Sequence, residues 1–73
     1  MDQATPRQQQ VLDAIRDLTA EAGYPPTLRE LGERLGIRSM NGVADHLKAL
    51  KAKGHVSWQP ASARTLQVVK RPG

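Results

Sequence analysis

The sequence predicts a mainly α domain of three helices followed by a small β-hairpin, and three observations carry that prediction. Apolar residues recur at three- and four-residue spacings through the first part of the chain, and beyond Gly54 they alternate with polar ones. Glycine or proline stands wherever one pattern gives way to the next. At 73 residues the chain is the size of one small domain, expected to span 1–69 with 70–73 as a tail or the start of a linker.

Thr5-Pro6-Arg7-Gln8 reads as a helix entrance: the Thr hydroxyl can accept an orphan backbone N–H, Pro suits the first helical position, and Gln8 stands where a capping box needs it. Val11, Leu12, Ile15, Leu18 and Ala22 then form one apolar stripe, ended by Gly23 and Pro25-Pro26. Thr27-Leu28-Arg29-Glu30 repeats the box before a short second helix with Leu28, Leu31 and Leu35 inward, stopping at Gly36. After Gly36-Ile37-Arg38, Ser39 can cap a third helix that buries Val43, Leu47 and Leu50 and ends at Gly54. Val56 and Trp58, then Leu66 and Val68, alternate with polar residues around Pro60-Ala61-Ser62-Ala63, which predicts a hairpin.

Charge is divided unevenly along the chain, which carries a net +4. Through Ile37, four bases (Arg7, Arg16, Arg29, Arg34) face six acids (Asp2, Asp13, Asp17, Glu21, Glu30, Glu33). From Arg38 onward, seven bases (Arg38, Lys48, Lys51, Lys53, Arg64, Lys70, Arg71) accompany one acid, Asp45. A basic second half is the footprint of a polyanion binder, because phosphate contacts release counterions; a solvated charged surface is the alternative. The chain has no cysteine, and its two histidines, His46 and His55, have no carboxylate cluster beside them, so neither a disulfide scaffold nor a metal site is expected. No window approaches a membrane span and the first twenty residues are charged, which gives an expectation of a cytoplasmic protein.

Three helices and a hairpin, with a tight turn between the second and third helices, are the layout of a winged helix-turn-helix, a DNA-binding architecture whose third helix is the candidate recognition helix. The recognition helix is expected at about 39–53. With Val43, Leu47 and Leu50 inward, a rotation of about 100° per residue sends Asn41, Asp45, Lys48 and Ala52 to the outer face. Asn41 offers the paired donor and acceptor that match adenine, and Asp45 can accept from the cytosine amino group. Ser39 has two readings, a cap and a base contact. Backbone contacts are expected from Thr27, Arg38, Lys48, Lys53 and Arg64, with a solvated role as the competing reading for each lysine, Lys51 included. Trp58 is expected to pack in the hairpin and His46 to sit at a helix edge. Ser39, Ser57 and Ser62 have no motif that would activate a nucleophile, so no catalysis and no cofactor are expected.

Thr5-Pro6-Arg7-Gln8-Gln9-Gln10-Val11, Gly23-Tyr24-Pro25-Pro26-Thr27, Arg34 through Asn41 and His46 through Gly54 together resemble the N-terminal DNA-binding domain of the LexA repressors of the bacterial SOS response. The resemblance covers Thr5 to Val69. It implies that Ser39, Asn41, Ala44 and Asp45 face the bases; enterobacterial members carry acids at the last two positions, so Ala44 removes one acceptor from the set that reads a CTG-containing palindrome. It also implies glycines in the wing's turn, where this chain has Pro60, Ala61 and Thr65. The family's self-cleaving domain, with its serine and lysine, has no counterpart in the sequence. The implied partner is duplex DNA with a palindromic operator, bound by a chain that is monomeric when free and pairs on DNA; no membrane and no small-molecule ligand are expected. A free-standing interaction module, or an antagonist acting through protein partners or by operator competition, is the alternative function.

Overall fold

The computed structural model describes residues 4–59, 61–62 and 64–69. The expected tail at 70–73 and the turn residues Pro60 and Ala63 lie outside the described residues. The elements are α1 (Pro6–Ala22), α2 (Leu28–Leu35), α3 (Met40–Ala52), β1 (Val56–Ser57) and β2 (Gln67–Val68), mainly helical with a two-stranded antiparallel sheet.

Each helix begins where a side-chain oxygen can take an orphan N–H. At α1, Thr5 Oγ1 accepts from the Gln8 amide at 3.1 Å while Gln8 Oε1 accepts from the Thr5 amide at 3.0 Å. At α2, Thr27 and Glu30 make the same exchange at 3.1 and 2.8 Å. Ser39 accepts from the Gly42 amide at 3.4 Å, and the exchange stops there because Gly42 has no side chain to send back. Gly23 and Gly36 close α1 and α2 at φ 81° and 73°, the left-handed region that costs glycine little.

The core is Val11, Leu12, Ala14, Ile15, Leu31, Val43, Leu47, Leu50, Val56, Trp58 and Leu66. Among the described residues no polar or charged residue is buried, so burial of apolar surface, at about 25 cal/mol per Å², is the main stabilising contribution. Ala22, expected on the α1 stripe, is exposed, and Ala14 is buried instead. Ala22 has the right rotation but is the last residue of the helix, whereas Ala14 sits mid-helix under neighbouring elements. Leu18, Leu28 and Leu35 are half-buried at the rim of the cluster.

α2 meets α3 closely enough that its neighbours leave no comfortable room for a side chain at Gly32: an added Cβ would stand 3.1 Å from Val43 Cγ2 and 3.2 Å from the Ile37 carbonyl. The turn between the two helices is held by the Ile37 amide, which donates to the Gly32 carbonyl at 2.9 Å. On the far side of α2, Arg34 Nη2 donates to both oxygens of Glu21 on α1, at 2.6 and 2.9 Å.

The hairpin is shorter as a ladder than the alternation predicts. Among the described residues only Val56 pairs with Val68 and Ser57 with Gln67, extended by the Val69 amide donating to the His55 carbonyl at 2.9 Å. Trp58 and Leu66 are buried as the pattern requires, yet they stand outside the ladder. Thr65 explains the difference. Its Oγ1 accepts from the Gln59 amide at 2.9 Å and shares its proton between the Gln59 and Ser62 carbonyls at 3.1 and 3.2 Å, so a side chain takes bonds that a longer ladder would have made.

Candidate nucleic-acid interface

α3 buries Val43, Leu47 and Leu50 and leaves Asn41, Asp45, Lys48, Ala49 and Ala52 exposed, the face reached by helical rotation from the core stripe. Ser39 is exposed at the cap, its Oγ accepting from Gly42 while its own proton is left to donate outward. Met40, in the first turn, is 46% exposed and borders the grooves on both sides of the α2 entrance and turn. The sequence reading did not single it out; its place about 60° from Val43 in rotation marks the edge between core and open face, the only signal that could have found it. Ala44, which the resemblance turns toward bases, is half-buried and packs on the core, so only its edge stands on the open face.

The bases divide into paired and unpaired. Arg16, Arg29 and Arg34 have carboxylates at 3.9, 3.6 and 2.6 Å on Asp13, Glu33 and Glu21. Among the described residues Arg38 and Lys48 have no acidic partner, and both are exposed, one just before α3 and one on its outer face. Lys51 Nζ donates to the Trp58 carbonyl at 2.9 Å, joining α3 to the wing's base. Lys53 is half-buried, and its Nζ donates to Gln8 Oε1 at 3.0 Å, joining the end of α3 to the entrance of α1.

Thr27, at the half-buried start of α2, accepts the Glu30 amide on its Oγ1 at 3.1 Å. Glu30 sits beside it, and its carboxyl is held below the ordinary value of 4.5, chiefly by the hydrogen bond from the Thr27 backbone, with Arg64 adding to the effect. Arg64, expected to reach toward DNA from the wing, points back into the molecule: Nη1 donates to Glu30 Oε1 at 3.0 Å and to the Pro25 carbonyl at 3.1 Å, and the guanidinium carbon lies 4.5 Å from the Tyr24 ring centre. Pairing across 34 residues leaves no periodic trace, which is why the sequence did not reveal it.

No group of three or more His, Cys, Asp or Glu that could hold a metal is present among the described residues, and no helix of the described chain is long and apolar enough to cross a membrane. His46 is half-buried on α3.

Residues 1–65 match the family model of the LexA DNA-binding domain. The chain belongs to that family. It is 54% identical over 67 residues to the LexA repressor of Sorangium cellulosum, covering 92% of this chain and 29% of that protein. Against the LexA repressor of Myxococcus xanthus the identity is 46% over 71 residues, 97% of this chain and 32% of the relative. With the LexA repressor of Teredinibacter turnerae it is 47% over 68 residues, 93% and 34%. The chain therefore spans about a third of the length of the curated relatives it matches, and the likeness to LexA repressors is a likeness to their DNA-binding part.

Proposed function

We propose that this LexA-type domain binds duplex DNA sequence-specifically as the DNA-reading part of a transcriptional repressor of the SOS-response type, with α3 in the major groove. The observation that carries the reading is the open face of α3. Asn41, Asp45 and Lys48 lie exposed along it, Ser39 stands at its start, and Arg38 precedes it, exposed and acid-free like Lys48, while Arg16, Arg29 and Arg34 of α1 and α2 pair with acids and Arg7 donates to Gln10. A side-chain amide and a carboxylate read base edges, and unpaired cations hold phosphates. The edge of Ala44 suits contact with a thymine methyl rather than hydrogen bonding. Thr27 and Arg38 address the backbone at the ends of α2 and α3. The functional unit on DNA is two copies on an inverted repeat, half-sites about one helical turn apart, each copy monomeric when free.

The test is selection of bound duplexes from a random pool, followed by Asn41→Ala. We expect a recovered half-site, and for the variant a loss of preference at one position costing about 1–3 kcal/mol. An equal loss on all sequences would remove Asn41 from base reading, and recovery of no consensus would remove the reading itself. Sedimentation of the chain with and without the recovered palindrome checks the stoichiometry.

A further inference from the structure

We propose that Arg64 is a positioning residue: tied to Glu30, Pro25 and the Tyr24 ring, it fixes the wing against the entrance of α2 and so sets the angle at which the wing and α3 meet one duplex. The inference rests on the duplex-binding reading above and adds to it a residue that acts from within the protein.

The wing does not pack flush against the helices. A groove of about 300 Å³, bordered by Thr27, Leu28, Met40, Ser62, Arg64 and Leu66, separates it from the starts of α2 and α3. Among the described residues two pairs form the ladder at the base of the wing; beyond it, in the outer part, the Ser62 amide donates to the Gln59 carbonyl at 3.0 Å, and side chains supply the other bonds. Thr65 closes that outer part on itself. Arg64, next in the chain, carries it across to α2.

Three features of the tie fit a positioning role. Arg64 has φ 59° and is the non-glycine residue in the left-handed region among those described, a conformation that persists where surrounding contacts over-determine it. Its Nη1 proton donors meet two acceptors on different parts of the chain, and its flat face covers Tyr24, so the guanidinium is fixed in direction as well as distance. Glu30, the anchor, is also the returning half of the α2 capping box, so the wing is fastened to the helix whose turn leads into α3.

A direct contact from Arg64 to phosphate is the competing role, and the two separate on charge. A carboxylate 3.0 Å from the guanidinium already neutralises it locally, so the tie adds little to counterion release. Glu30 is an acid; on charge alone its removal should strengthen binding to DNA. Weakening on its removal is therefore the signature of positioning.

The experiment compares the unmodified chain with Glu30→Gln, Arg64→Ala and the double variant. Gln8 builds an intact box at α1, so Glu30→Gln keeps the helix entrance while removing the negative charge that faces Arg64. Amide hydrogen exchange without DNA is expected to quicken at Gln59 and Ser62 in each variant, with Leu47 and Leu50 of α3 unchanged. Affinity for the duplex recovered from the random pool is expected to fall roughly two- to fivefold for Glu30→Gln, as for an exposed ion pair, with the salt dependence unchanged and the double variant no weaker than Arg64→Ala. A salt slope lowered by about one in Arg64→Ala, together with equal or tighter binding by Glu30→Gln, would overturn the proposal in favour of a phosphate contact. Unchanged exchange at Gln59 and Ser62 in all variants would overturn it too. If the unmodified chain bound no duplex while exchange still quickened, the duplex reading would fail and the tie between wing and α2 would stand.

Discussion

The entrances of α1 and α2 follow one plan with different end groups. At α1, Thr5 and Gln8 exchange bonds, and Lys53 from the end of α3 donates to the same Gln8 oxygen at 3.0 Å. At α2, Thr27 and Glu30 exchange bonds, and Arg64 from the wing donates to the same Glu30 oxygen at 3.0 Å. In both, an oxygen that caps a helix also receives a cation from a distant segment. The end group decides what each joint is worth. Gln8 is neutral, so the α1 joint is a hydrogen bond from a charged donor to an amide. Glu30 is anionic at the positive end of a helix and beside a guanidinium, so the α2 joint adds charge interactions that salt and acid can weaken.

The comparison can be broken outright from below. Leu47 is fully buried in the core that all three helices share, and Leu47→Ala is expected to cost about 2–5 kcal/mol, most of what so small a domain has. In thermal unfolding, protection at Thr5 and Thr27 should disappear together; a full thermal midpoint would mean that Leu47 is not the shared support.

Removing either cap should cost less. Thr5→Ala and Thr27→Ala are each expected to destabilise by about 0.5–2 kcal/mol in denaturant melts. The second should also quicken exchange at Gln59 and Ser62, since the Glu30 amide loses its Thr27 Oγ1 acceptor and the first turn that carries the wing's anchor loosens, whereas the first leaves the wing unaltered. Equal effects on the wing would show that the two joints are not independent.

A charge swap sharpens the comparison. Gln8→Glu gives α1 the end group of α2, and with Lys53 nearby and the helix dipole behind it should gain about 0.3–1 kcal/mol at low ionic strength, a gain that added salt reduces. A loss of stability would show that the α1 joint depends on the amide itself.

Acid should separate the two joints with the smallest signal. Glu30 has its carboxyl held below 4.5, so the stabilisation tied to its ionised form is complete above that ordinary value and is lost as pH falls through the depressed one. The Thr27 amide, which donates to Glu30, should shift along that curve in an NMR titration, while the Thr5 amide, which donates to uncharged Gln8, stays flat. Parallel curves would show that Thr27 reports general acid unfolding instead.

Local patterns made much of this molecule legible. Thr5, Thr27 and Ser39 carry hydroxyls that can cap only at a helix start, Gly23 and Gly36 adopt backbone angles that other residues resist, and Val43, Leu47 and Leu50 recur at helical spacing; each is an interaction within about four residues, so the sequence displays it directly. From those alone follow the three helices and the exposure of Asn41, Asp45 and Lys48. The alternation likewise marked Val56, Trp58 and Leu66, which are buried, and Val68, which is half-buried against them.

The tertiary structure decided which outward-drawn cations stay free. The sequence offered Lys53 and Arg64 as DNA backbone contacts and Lys51 as a phosphate contact or a solvated charge, and the fold engages the three with Gln8, Glu30 and Trp58, while Arg38 and Lys48 stay open. It also turned Ala44 partly into the core, exposed Ala22, and let the Thr65 side chain replace part of the ladder. The physical reason is range. A cap or an apolar stripe is fixed by geometry along a few residues of chain, whereas a long, flexible side chain takes whichever acceptor the folded surface brings within about 3 Å, and that acceptor can lie at any sequence distance.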